Sequence, residues 1–203
     1  RGSTVSDHDA LEIKAGHSLQ SSVMHLDHGG CRIHLIDTPG APDFIGQSLP
    51  ALEAVETAAI VINAAAGIEP MAQRMMAYAA ERGLDRLVIV NRIDAQDVDL
   101  SALLADIQAA FGKECLPLNL PDAGATQVVD CFYNREGHCD FGAVADAHRA
   151  LVEQFGQAFD LVVIEVGRRR GQAGHGRKRR WAGVHGSACG WAPPHPAACQ
   201  RHR

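Results

Sequence analysis

The apolar stretch Ile33-His34-Leu35-Ile36 runs straight into Asp37-Thr38-Pro39-Gly40, and Leu87-Val88-Ile89-Val90 runs into Asn91-Arg92-Ile93-Asp94. Short apolar runs bounded by turn residues read as buried strands. In open α/β sheets, ligands sit beyond the carboxyl ends of the strands. Two strand ends that carry acids and tight turns, in this order, therefore predict an α/β fold with a nucleotide site.

The rest of the pattern agrees. Residues 20–36 read as a β-hairpin around Asp27-His28-Gly29-Gly30. Ser48 to Glu56 is expected to be helical, and Ala58 to Asn63 to be a strand. Glu69-Pro70 opens a helix that Gly83 ends, with Met71, Met75 and Tyr78 as packing residues. Ser101 is the expected cap of a helix whose apolar stripe is Leu103, Leu104, Ile107 and Phe111, stopped by Gly112. Cys115–Leu120 and Val128–Tyr133 read as strands, and residues 143–154 as a helix. Strand and helix alternate, so the sheet is expected to be mainly parallel.

Charge divides the chain unevenly. Residues 1–166 carry 10 Lys+Arg against 24 Asp+Glu, whereas residues 167–203 carry 9 Lys+Arg and no acid. Both tryptophans, Trp181 and Trp191, fall in the basic part. No apolar run reaches the roughly 20 residues that span a bilayer, and the first residues lack a secretory pattern. A cytoplasmic location without membrane contact is expected, with the six cysteines as free thiols. Structural zinc sites want close Cys pairs and four ligands, which weighs against Cys131, His138 and Cys139 as a metal site. The His25 and His28 pair is read as straddling the hairpin turn, again too few ligands for a metal.

The two strand ends suit distinct tasks. The Asp37 carboxylate can hold Mg²⁺ through a water, since Mg²⁺ keeps several waters beside phosphates. Gly40 can bring its backbone N–H close to a terminal phosphate. Guanine offers N1–H and N2–H₂ together, a donor pair that Asp94 can accept. Adenine lacks that pair and would leave a buried Asp94 unpaired. Asn91 would tie the base-binding loops together, and the Arg92 stem would cover the base face. Each tetrapeptide alone also fits an ordinary capping turn.

These motifs, with "GSTVSDHDALEIKAGHSLQ", "HLIDTPGAPDFIGQSLPALEAVETAAIVINAAAGIEP", "LVIVNRIDA" and "LPLNLP…VVDCF", give a chain that resembles the GTP-binding domain of elongation factor G and its paralogues. The resemblance covers about residues 2–154 and implies a P-loop GTPase-type α/β fold, with a GTP-binding domain over 1–154. Its last segment is similar to an insert within that domain. It implies GTP/GDP and Mg²⁺ as ligands, GTP hydrolysis, and the ribosome as partner. Ser18, within Ala15-Gly16-His17-Ser18, falls at the Mg²⁺-binding Thr of the first switch. Asp37, Pro39 and Gly40 match the second switch, and Asn91, Arg92 and Asp94 the guanine loop, with Arg92 replacing a Lys.

The departures carry expectations of their own. Ala41 stands at the family's catalytic His, and alanine cannot position an attacking water, so slow hydrolysis is expected. No G-x-x-x-x-G-K-[ST] phosphate loop occurs in the 203 residues. The Ser-Ala pair of the last base-binding loop is not recognisable either. The sheet is thus expected to lack an internal strand at its N-terminal side, and residues 1–166 to fold poorly and bind GTP weakly. Residues 155–203 read as a tail of doubtful origin, disordered or frame-shifted; the functional alternative is that residues 167–203 are a basic arm that contacts RNA through counterion release and tryptophan stacking. The rival to a GTPase is a non-catalytic ribosome- or RNA-binding remnant.

Overall fold

A computed structural model of the chain describes residues 5–6, 9–155 and 162–167. The basic tail beyond Gly167, with Trp181 and Trp191, lies outside the described residues. The chain separates into two compact units, the first reaching Ser48 and the second beginning at Leu49.

In the first unit, helix α1 (Ala10–Ala15) starts from a capping box: Asp9 accepts from the amides of α1 while Glu12 accepts the Asp9 amide. Gly16, left-handed at φ 75°, closes its carboxyl end. Strands β1 (Ser22–His28) and β2 (Cys31–Asp37) form an antiparallel pair, with His28 opposite Cys31 and Ser22 opposite Asp37. The turn takes φ 59° at Gly29 and 82° at Gly30, the doubly left-handed geometry that matches strand twist. The expected hairpin is therefore present, shifted by a residue or two. His25 and His28 both lie on β1 rather than astride the turn, and the ring facing His25 is that of His34, 6.2 Å away. A 3₁₀ turn (Pro42–Phe44) and helix α2 (Ile45–Ser48) follow.

The second unit opens with a 3₁₀ segment, Leu49–Ala54, so the helix expected over Ser48–Glu56 exists only as short pieces. Pro50 lacks an N–H and cannot donate inside a helix. Its parallel sheet has the strand order β3 (Thr57–Asn63), β4 (Asp85–Asn91), β10 (Val162–Gly167), β5 (Leu116–Pro117). Ala58, Ile60 and Ile62 alternate into the core, while Val61 on the opposite face is 60% exposed. Helix α3 (Pro70–Glu81) contributes Met76 and Ala79, and helix α4 (Leu100–Phe111) contributes Leu103 and Ile107. With Val88 and Val90 these residues build the main core. Tyr78 donates to Glu53 and Arg82 pairs with Glu53, fastening the 3₁₀ segment to α3.

Three expectations are corrected here. The cap of α4 is Asp99, whose carboxylate accepts the amides of Ser101 and Ala102 at 2.9 and 3.0 Å; Ser101 lies inside the helix. The strand expected over Cys115–Leu120 is broken in two at Leu118, just after Pro117, which has no N–H to donate to a continuing ladder. Leu116–Pro117 joins β10, while β6 (Asn119–Asp122) turns away to pair with β7 (Gln127–Asp130). Among the described residues the sheets are small and mixed, one parallel set of four strands and three separate antiparallel pairs, instead of one mainly parallel sheet. The last pair, β8 (His138–Cys139) and β9 (Gly142–Ala143), leads into helix α5 (Val144–Phe155). Leu120, Cys131, Cys139, Val144 and Leu151 form a second, separate core.

Candidate functional site

The predicted residues fall into two groups, one in each unit. In the first unit, Asp37 ends β2 and is partly exposed. The next turn is held from behind: Ser48, 1% exposed, donates its hydroxyl to the Pro39 carbonyl at 2.8 Å. Pro39 itself is buried, Gly40 is exposed, and a Cβ built on Gly40 would meet no atom within 4 Å. Open space therefore stands over the Gly40 backbone, as a close-approaching ligand requires. Ala41 precedes the 3₁₀ turn without any side-chain cap.

The segment bearing Ser18 lies against this turn. The His17 and Phe44 rings approach to 6.3 Å between centroids, and the Ser21 hydroxyl donates to the Gln47 carbonyl at 2.8 Å. Ser18 is half-buried. The first unit thus carries two hard oxygen donors, the half-buried Ser18 hydroxyl and the partly exposed Asp37 carboxylate. Such donors fit Mg²⁺, which binds through one or two protein oxygens and otherwise through water and phosphate. No cluster of three or more His, Cys, Asp or Glu that could hold a metal occurs among the described residues. Cys131 and Cys139 are core thiols, and His138 is exposed.

In the second unit, Asn91 ends β4. Its side-chain oxygen accepts the Arg92 amide at 2.9 Å, and its backbone carbonyl accepts the Ala64 amide at 2.9 Å. Arg92 takes the left-handed φ of 61° and Ile93 is buried, which anchors the turn that carries Asp94. Asp94 is exposed, not buried as selectivity by an unpaired carboxylate would require. It lines a cavity of about 500 Å³ with Asp97, Asp99, Ser101, Asp140 and Phe141. Four carboxylates and no basic side chain in that lining favour a ligand that presents hydrogen-bond donors.

The opposite wall was not visible in the sequence. Ala123, Gly124 and Ala125 adopt successive φ values of 51°, 63° and 61°. The Asp140 carboxylate accepts the Gly124 amide at 2.6 Å, and Thr126 donates to the Ala123 carbonyl at 2.6 Å. Strained backbone of this kind persists only where its surroundings hold it. The support from Ser48, Ser21 and Glu12 was missed as well, although Asp9-x-x-Glu12 is a readable capping signal.

A parallel sheet flanked by helices, with an Asn-Arg-Ile-Asp turn at a strand's carboxyl end, places the chain in the class of GTPase-type α/β domains. The chain belongs to the elongation factor Tu GTP binding domain family, whose model matches residues 1–187. It is 31% identical over 135 residues to peptide chain release factor 3 of Symbiobacterium thermophilum, covering 66% of this chain and 26% of that protein. It is 32% identical over 151 residues to the protein of that name from Lactobacillus delbrueckii subsp. bulgaricus, covering 70% of this chain and 29% of the relative. The corresponding Listeria monocytogenes protein is 37% identical over 116 residues, 57% of this chain and 22% of its own length. The chain therefore spans roughly a quarter of the length of these curated relatives. Among solved structures, a Thermus thermophilus protein designated ttk003000868 superposes with a TM-score of 0.67 at 22% identity, over 82% of this chain and 32% of that one. That likeness speaks for the fold.

Proposed function

We propose that this chain is the guanine-nucleotide-binding part of a translational GTPase of the elongation-factor-G and release-factor-3 kind, which in its whole form hydrolyses GTP on the ribosome. The observation that carries the reading is the loop Asn91–Asp94, held at the end of β4 by the two Asn91 hydrogen bonds and opening on an acidic cavity. Asp94 accepts the N1–H and N2–H₂ donors of guanine. Arg92 covers the base with its stem. Because Asp94 is exposed, the base itself must exclude water from that pair, and selectivity rests on the closure it brings.

Ser18 and Asp37 would hold Mg²⁺, the second through water, and the ion would supply charge neutralisation for the phosphates. Gly40 offers its N–H to the terminal phosphate over the open space above it. Ala41 supplies no hydrogen bond to an attacking water, so hydrolysis by this chain is slow unless another group orients the water. The 203 residues contain no Lys-bearing phosphate loop, so nucleotide binding by this chain is weak.

Ligand-observed NMR of the purified chain with GTP and with ATP, each at millimolar concentration, tests the reading. Saturation transfer to the proton on guanine C8 that exceeds transfer to adenine supports it, as does weakening when Mg²⁺ is chelated. Equal transfer to both bases, insensitive to chelation, would overturn it.

A further inference from the structure

Glu12 is a buried carboxylate, 4% exposed. A carboxylate is taken out of water only where hydrogen bonds compensate it. Its Oε2 accepts the Asp9 amide at 3.3 Å, which completes the capping box. Its Oε1 accepts two further amides, Leu19 at 2.8 Å and Gln20 at 3.0 Å. These are the shorter bonds, and they reach seven and eight residues along the chain. Capping α1 requires neither of them.

The same stretch is closed from outside by the Ser22 hydroxyl, which donates to the Ser6 carbonyl at 2.7 Å. Left-handed Gly16 reverses the chain after α1, so residues 16–20 fold back over Glu12. Ser18 sits inside that reversal, directly before the two amides that Glu12 holds. We propose that Glu12 is a positioning residue for Ser18: its carboxylate fixes the Gly16-to-Gln20 turn and so sets where the Ser18 hydroxyl stands. The proposal rests on the reading of Ser18 as an Mg²⁺ donor, and it adds a group with no contact to nucleotide that controls the cation site.

The test uses the full chain with Glu12→Ala and Glu12→Gln. Amide exchange is followed by NMR at Leu19 and Gln20, with the amides of the β1–β2 hairpin as the control for folding of the first unit. Glu12→Ala is expected to speed exchange at Leu19 and Gln20 at least tenfold while the protected amides of the β1–β2 hairpin are unchanged. Glu12→Gln keeps the Oε1 acceptor and should retain most of the protection. Equal exchange in the wild-type chain and Glu12→Ala overturns the proposal. If Glu12→Ala fails to fold, so that the β1–β2 hairpin loses protection as well, Glu12→Gln decides: protection kept at Leu19 and Gln20 supports the clamp, and protection lost there overturns it.

The second readout is the Mg²⁺ concentration that half-saturates GTP binding. The expected result is a several-fold rise in Glu12→Ala, restored in Glu12→Gln, with no change in binding under chelation. Loosened amides with an unchanged Mg²⁺ requirement would overturn the positioning role. Absence of any Mg²⁺ effect in the wild-type chain would instead overturn the Ser18 assignment, while the exchange data alone would still judge the clamp.

Discussion

Asn63 and Asn91 are register partners at the carboxyl ends of β3 and β4, and each turns its side-chain oxygen back onto its own chain. Asn63 accepts the Ala65 amide at 3.2 Å and Asn91 accepts the Arg92 amide at 2.9 Å. The Ala64 amide then bridges to the Asn91 carbonyl, so the two strands finish level. Replacing Asn91 with Ala removes the bond that supports Arg92 in its left-handed conformation. The expected cost is about 1 kcal/mol of stability, read as a lower urea midpoint, together with weaker guanine-nucleotide binding. An unchanged midpoint and unchanged binding would show that the backbone bridge alone sets the loop.

Ser48→Ala probes the other strand end. The Ser48 hydroxyl is buried and its acceptor is the Pro39 carbonyl, so truncation leaves that carbonyl without this donor. Loss of about 1–2 kcal/mol is expected. Faster exchange of the Gly40 amide should accompany it, and Thr, which keeps a hydroxyl, should cost less than Ala.

The two cores of the second unit call for separate tests. Ile107 is 1% exposed in the main core and Leu151 fully buried in the second. Each change to Ala should destabilise by about 2–5 kcal/mol. If the cores unfold independently, Leu151→Ala will lower the melting of α5 and β6–β9 while leaving exchange at Val88 slow. A uniform loss of protection would mean that the unit unfolds as one.

Thiol chemistry offers a pH test. Burial pushes Cys115 up to about 11, with the neighbouring Glu114 charge adding to it. Burial likewise pushes Cys131 up to about 11, helped by Cys139 and Asp130. Unfolded thiols ionise near the ordinary value of 9.0, so folding keeps its full contribution from these groups below that pH. Above it the unfolded chain releases protons first, and stability falls as pH rises towards 11. Alkylation mapped by mass spectrometry at about pH 8 should modify exposed Cys31 quickly, and Cys115 and Cys131 only after denaturation. Rapid labelling of Cys131 in the folded chain would contradict its place in the second core.

Much of this was legible because strand ends announce themselves. The runs ending at Asp37 and Asn91 combine apolar strand residues with a turn signal, and both strands stop there. The helix stripe of Leu103 and Ile107 was equally plain, since helical spacing needs no tertiary knowledge. Its start was misplaced because Asp99 and Ser101 are both good caps, and only geometry separates them. The Cys115–Leu120 stretch is continuous by hydropathy, yet it breaks at Leu118, just after Pro117, and its halves join different sheets. No local signal marks three left-handed residues at Ala123–Ala125, since alanine does not favour that region. They are held by Asp140, sixteen residues away, and a long-range restraint of that kind leaves no periodic trace.

The central claim is that Asp94 reads guanine. A carboxylate accepts the two donors of guanine, whereas the amide of Asn presents a donor that suits the carbonyl which xanthine carries at the same carbon. The most direct measurement is therefore a competition of GTP, ATP and xanthosine triphosphate against the wild-type chain and Asp94→Asn, with Mg²⁺ present. The account predicts weak binding with guanine preferred by at least tenfold in the wild-type chain, about 1.4 kcal/mol. It predicts a switch towards xanthine in Asp94→Asn, with adenine poor in both. An order of preference left untouched by the substitution would contradict it.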